Sequence, residues 1–291
     1  MAKMESVWKK SSDAGNYDQV RPDYPRQVVD VSINYLRQKY EGPLSLALDI
    51  GCGTGKSTEH LISPFENVVG CDPSLAMLEE AQKNYGLHGH VKFIQANAED
   101  LAMFEPNSIQ LILASRCIHY FDHKKFFEEA DRVLVPNGVL VYYTLQFEEL
   151  FDPKGLIESK VLTSLYDEYL ETWVGDHWLQ PKHLPEGFKY GARNRKEYYL
   201  QILQPPYPKD KSIETFTTNR TLTLASLRNL IESYSATLNH RSEHGDKKTN
   251  DLITKCISNI GKALGKSNEM EANVHVNVSN EFFMVLSRKP E

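Results

Sequence analysis

Residues 49–58 read DIGCGTGKST, a glycine-rich run with a carboxylate at one end and Gly-Lys-Ser at the other. Glycines at this density let backbone approach a ligand closely and adopt positive φ. A phosphate-wrapping P-loop needs G-x-x-x-x-G-K-[ST]. Counting back from Gly55-Lys56-Ser57, its first glycine falls at position 50, which is Ile50. The dinucleotide spacing G-x-G-x-x-G fails too, because its third glycine falls on Lys56. What remains is Asp49, Gly51, Gly53 and Gly55. Asp49 is placed either to touch a ligand amine or to accept from the loop itself. Asp72 lies 21 residues beyond Gly51, where a carboxylate accepts from both hydroxyls of a ribose, or caps the helix that follows. Asn97, Ala98 and Glu99 offer a polar side chain and backbone N–H groups suited to an adenine edge. Ser115 and His119 sit in the run ASRCIHYFD of residues 114–122. His119 is the candidate for a general base, against the plainer role of a buried structural histidine.

These residues need elements that end where they stand. Leu46–Ile50 is an apolar run stopped by glycines, as a buried parallel strand requires. Further strands are expected at Asn67–Cys71, Val91–Gln95, Ile109–Ala114 and Val139–Thr144. Helices are expected at 56–62, Leu75–Tyr85 and 124–134, the last with Phe126, Phe127, Ala130, Val133 and Leu134 at helical spacing. Alternation of this kind predicts a doubly wound α/β sheet with ligands at the carboxyl ends of its strands. Asp49 stands among the last residues of the first strand, and every other candidate above follows such an end. Residues 147–220 read as helical or irregular and rich in aromatics. Residues 222–238 and 251–264 read as helices, and 241–250 as an exposed charged loop. Val274–Val278 and Glu281–Ser287 read as a C-terminal antiparallel hairpin turning at Ser279-Asn280. The organisation expected is a single domain over 1–291. Residues 1–43 form an N-terminal covering segment, 44–146 the binding core, 147–270 an insertion on the substrate side, and 271–291 the closing hairpin.

Composition narrows the function. The chain has 291 residues, 41% of them hydrophobic, and a formal net charge of −6 from 33 basic and 39 acidic residues. An acidic balance without a basic tail argues against nucleic acid as partner. No apolar run approaches the roughly 20 residues a membrane helix needs, and the first residues lack the apolar segment of a signal peptide. The four cysteines, Cys52, Cys71, Cys117 and Cys256, form no CxxC pair. A cytoplasmic setting follows as expectation, with no metal, no membrane and no obligate protein partner; the histidines read as dispersed. Arg193 and Arg195 read as solvated charges.

The ordered set of loop, Asp72, Asn97–Glu99, the 114–122 run and the Pro136-Asn137-Gly138 turn resembles the class I S-adenosylmethionine-dependent methyltransferases. The resemblance covers 44–146 well. It implies a mostly parallel seven-stranded Rossmann-like sheet, S-adenosylmethionine as cofactor, and Asp49, Gly51, Gly53, Gly55, Asp72, Asn97, Ala98, Glu99 and Ser115 around it. A narrower likeness begins earlier: Tyr17-Asp-Gln-Val-Arg21-Pro22-Asp-Tyr24-Pro25 resembles the Y-x-x-x-R-P-x-Y-P segment of the trans-aconitate methyltransferase-like group. His119-Tyr120-Phe121-Asp122 is similar to that group's H-W-F-D. In such proteins the N-terminal segment lies over the cofactor, so Tyr17 and Arg21 join the expected cofactor site, with Arg21 pairing the methionine carboxylate.

The acceptor is expected to be a small molecule. Tyr120, Trp173, His177, Trp178 and Tyr190 are the expected wall of its cavity. A carboxylate acceptor is ionised at neutral pH and gives a methyl ester without a base. An uncharged amine, thiol or phenol would enlist His119. A non-catalytic S-adenosylmethionine-binding protein is the third reading.

Overall fold

The computed structural model describes residues 24–178, 180–181, 184–192 and 194–291. Tyr17 and Arg21 lie outside the described residues. Seven strands form one sheet: β1 (Leu46–Ile50), β2 (Asn67–Asp72), β3 (Val91–Gln95), β4 (Ile109–Ser115), β5 (Leu134–Phe151), β6 (Lys211–Thr223) and β7 (His275–Arg288). Their spatial order is β3-β2-β1-β4-β5-β7-β6. The first five run parallel, and β7 pairs antiparallel with both β5 and β6. Strand order reverses at β1, so the loops after β1, β2, β3 and β4 converge on one crevice.

The sequence dictates this core locally. Every residue of β4 is buried, as expected for a strand covered on both faces. The helix Leu75–Tyr85 begins at Ser74, whose Oγ accepts from Met77 N, and buries Met77, Leu78 and Ala81 against the sheet. The helix His123–Val133 buries Phe126, Ala130 and Val133. On the other face, Gln27–Arg37 presents Val28, Val29, Tyr35 and Leu36. Its end is locked by the buried Arg288, which donates from Nη2 to Tyr35 O at 2.6 Å and from Nη1 to Leu36 O at 3.2 Å.

The second half departs from expectation. The antiparallel pair at the end of the sheet is present, but its arms are β6 and β7, not 274–278 and 281–287. His275–Arg288 is one continuous strand; Ser279 and Asn280 pair with Asn219 and Thr218 in its middle. The alternation explains why: Val276, Val278, Asn280, Phe282, Met284 and Leu286 are all buried on one face, with no break in the period. β6 falls inside the segment expected to lack strands. Its run of threonines and β-branched residues is the strand signal there. The helix expected over 222–238 is two helices, Leu224–Glu232 and Ser235–His244, broken where Tyr234 turns extended (φ −74°, ψ 139°). Residues 241–250 are not a loop: Gly245, at φ 86°, alone separates that helix from Asp246–Ala263.

Candidate active site

A cavity of about 760 Å³ opens where the loops after β1–β4 meet the aromatic-rich insertion. Gly51, Gly53, Asp72, Asn97, Ala98, Glu99 and Ser115 line one part of it. His119, Tyr120, His177, Trp178 and Tyr190 line another. Three expected residues are not among its walls. Asp49 is fully buried behind the loop, where Oδ2 accepts from Ser57 Oγ at 2.7 Å and Thr58 Oγ1 at 2.6 Å. Through these two hydroxyls it braces the turn into the next helix. Gly55 faces Tyr85, where a Cβ would come within 2.7 Å of the ring. Trp173 is turned away as well. Its ring meets Tyr169 edge-on at 6.2 Å and lies beneath Lys255 Nζ at 4.3 Å. A π-helical turn over Glu168–Trp173 sets that direction.

The loop backbone is built for close approach. Gly51 sits at φ 66°, and a Cβ there would lie 2.7 Å from Cys117 Sγ. Gly53 sits at φ 55° with nothing within 4 Å of the position a Cβ would take, leaving open space on the cavity side. Asp72 anchors the loop. Its Oδ2 accepts from Gly53 N at 3.0 Å and its Oδ1 from Ser74 N at 2.8 Å. Burial pushes its carboxyl up to about 6, against the lowering effect of those two N–H donors. Burial also pushes Asp49 up to about 7, with Asp72's charge adding to the rise. Glu99 Oε1 accepts from Asp122 N at 2.7 Å, tying the segment after β3 to the one after β4.

His119 is clamped among aromatics. Its ring stacks on Tyr190 at 4.9 Å, lies 4.0 Å from Tyr120, and its Nδ1 is 2.8 Å from Tyr199 Oη. Burial, then Arg195, Arg116 and His123, hold its pKa well below the usual histidine value. It is a neutral imidazole in a cationic surround.

Those two arginines are what the sequence reading missed. Arg116 follows β4 with φ 60°, an uncommon conformation for a non-glycine residue and one that concentrates at functional sites. It lies 6.0 Å from the Tyr24 ring, and both line the cavity. Arg195 also lines the cavity, with its guanidinium over Trp178 at 4.9 Å. Nothing in the local pattern of Asn194-Arg195-Lys196 separates Arg195 from a solvated charge. Tyr24 was missed too: it stands in the Y-x-x-x-R-P-x-Y-P segment, from which only Tyr17 and Arg21 were expected at the site.

Comparison with known proteins agrees with this geometry. Residues 48–142 match the family model described as "Methyltransferase domain". The chain is similar to a Saccharomyces cerevisiae protein named as a probable S-adenosylmethionine-dependent methyltransferase, 32% identical over 155 residues, about half the length of each (52% and 52%). A Dictyostelium discoideum protein named "Putative methyltransferase" is 25% identical over 286 residues, covering 97% of this chain and 95% of that one. A solved structure from Anaeromyxobacter dehalogenans, described as "a Putative Type II Methyltransferase", superposes with a TM-score of 0.67 at 22% identity, covering 93% of this chain and 99% of that one. That last likeness shows the fold. Among the described residues no helix is long and apolar enough to cross a membrane. Residues 48–142 thus match a methyltransferase domain, and the loop, the sheet order and the relatives agree on S-adenosylmethionine as its cofactor.

Proposed function

We propose that the protein transfers a methyl group from S-adenosylmethionine to a carboxylate oxygen of a small, partly apolar acid, giving a methyl ester. The observation that carries this reading is the placement of Arg116 and Arg195 in the same cavity as His119 and the glycine loop. Guanidinium groups are suited to orienting a carboxylate by charge-assisted hydrogen bonds. The likeness of 17–25 and 119–122 to the trans-aconitate methyltransferase-like group points the same way.

The residues present fit the cofactor. Open space at Gly53 would let its chain lie against the backbone, and Asp72 and Asn97–Glu99, which line the same cavity, would hold the ribose hydroxyls and the adenine. When bound, it supplies a methyl group already activated on a sulfonium. The protein's own task is to hold the acceptor in line and to keep water out. A carboxylate needs no proton removed. That agrees with His119, whose burial and cationic neighbours make it a poor base at neutral pH. In this reading His119 is a neutral hydrogen-bonding wall, with Tyr199 fixing its ring. Tyr120, Trp178 and Tyr190 exclude water and receive the apolar part of the acid.

The aromatic wall also favours a second reading, N-, S- or phenol-O-methylation of an uncharged molecule. One experiment separates them. Purified protein is incubated with methyl-labelled S-adenosylmethionine and a small-metabolite extract, and the products are then treated with mild base. Labelled methanol is expected. Base-stable label in a small molecule refutes the ester and leaves the second reading. No transfer to any component refutes catalysis on small molecules.

A further inference from the structure

The expectation that the histidines are dispersed does not survive the fold. His240 and His244 stand four apart on the helix Ser235–His244, an H-x-x-x-H spacing that puts both imidazoles on one face. The 3-10 turn Gly175–His177 brings a third. His177 meets His240 at 4.8 Å and His244 at 5.3 Å between ring centroids, and His240 meets His244 at 4.5 Å. One nitrogen of each ring lies within 4.8 Å of those of the other two. A tetrahedral zinc with bonds near 2.0–2.1 Å separates its ligands by on the order of 3.3 Å, so modest side-chain rotations draw the three together.

We propose that His177, His240 and His244 form a binding site for a divalent transition-metal ion of the zinc class, at the rim of the cavity. Three supports are independent of the cluster's compactness. First, His240 has an orienting partner. Its Nδ1 lies 2.7 Å from Thr249 Oγ1, which is also 3.1 Å from Gly245 O; with that hydroxyl donating to the carbonyl, it accepts the Nδ1–H of His240 and Nε2 keeps its lone pair for a metal. A second hydrogen bond of this kind is what orients metal-ligating histidines. Second, a carboxylate stands beside the cluster. Glu243 Oε2 is 3.4 Å from His177 Nδ1 and its Oε1 is 3.7 Å from His244 Nε2, the right group for a fourth ligand. Third, the scaffold is pinned: Asn239 Nδ2 donates to His177 O at 2.9 Å, fixing the turn against the helix. His240 is buried while His244 is exposed, which gives the ion an entry path. Imidazole donors with one carboxylate suit zinc rather than calcium or magnesium. Because His177 and Glu243 also line the cavity, a bound ion would fasten the turn of the insertion to the helix that closes the cavity's outer edge.

The test uses the full chain without cofactor or acceptor, so it stands apart from the methyl-transfer reading. Zinc is titrated in competition with a chelator of known affinity. One equivalent per chain, bound at micromolar affinity or tighter, is expected. His240→Ala/His244→Ala should weaken it at least 100-fold. Thr249→Val, which keeps all three ligands and removes the acceptor of the His240 Nδ1 proton, should weaken it 10–100-fold. His88→Ala/His90→Ala should leave it unchanged. Cobalt should give the intense visible bands of a tetrahedral site in the parent chain and lose them in the double variant. Circular dichroism and the melting temperature control for folding. Failure to bind one equivalent, or equal binding by the parent and the double variant, overturns the proposal.

Discussion

Asp72→Asn is the sharpest probe of the cofactor site. The substitution keeps the shape of the side chain and removes its charge. In the structure the carboxylate accepts from Gly53 N at 3.0 Å and Ser74 N at 2.8 Å, so its plane is fixed, and the residue lines the cavity. Hydrogen bonds to a charged acceptor contribute about 1.5–3 kcal/mol, which corresponds to a dissociation constant about 10–150-fold higher in the variant. The pH dependence gives a second, independent handle. Burial pushes the carboxyl up to about 6, so at pH 7.5 it is ionised and at pH 5 it is mostly protonated. Parent affinity should fall about tenfold between those pH values, while Asp72→Asn should be flat over the same range. The assay is calorimetry with S-adenosylmethionine at pH 7.5 and pH 5, with circular dichroism to confirm folding. An unchanged dissociation constant in a folded variant, or the same pH slope in both chains, refutes the assignment of Asp72 to the ribose.

Two further perturbations test the loop. Asp49 has its pKa raised by burial from 3.8 to about 7. Its proton is therefore kept in the folded state and lost in the unfolded state across this window, so stability is fully present below about pH 4 and declines as pH rises to 7. The stability difference between Asp49→Asn and the parent, from urea midpoints, should shift in the variant's favour by on the order of 3–4 kcal/mol between pH 4 and pH 8; a flat difference contradicts the raised value. Gly51→Ala forces a Cβ to within 2.7 Å of Cys117 Sγ at φ 66°, and should lower stability by about 1–3 kcal/mol with a matching fall in melting temperature. A fully stable Gly51→Ala would mean the loop can adopt another backbone.

How much of this the sequence discloses follows from how local each signal is. β1 and β3 end where expected because apolar runs stopped by glycine or polar residues are read within a few positions. Asp72 and Asn97–Glu99 were singled out for the same reason: they are polar residues at, or just past, the carboxyl end of a strand. The second half is governed by distant pairing. Nothing within ten residues of Ser279-Asn280 says that Lys211–Thr223 waits to pair across it, so a polar dipeptide in mid-strand reads as a turn. Trp173 and Trp178 are five apart, and which of them faces the cavity depends on a π-helical turn that composition does not encode. His177 and Arg195 acquire their neighbours only through tertiary packing against Ser235–His244 and Trp178. The H-x-x-x-H spacing of His240 and His244 stands in the sequence itself, so the reading of the histidines as dispersed was wrong there; only His177 needed the fold to join them.

The position of β7 has a consequence for how the molecule is made. β5 and β6 do not touch each other in the sheet; β7 fills the gap between them, pairing Val139 with Arg288 on one side and Lys211 with Ser287 on the other. It is the last strand in chain order. During synthesis, therefore, β5 and β6 are complete before their common partner emerges, and each offers an unpaired edge of the kind that invites wrong pairings. Closing contacts between residues as far apart as 139 and 288 carries a loop-closure cost that slows folding. The first five strands can assemble around the glycine loop before this happens, so the topology predicts that the crevice at their carboxyl ends forms early and that the region joined by β7 forms late.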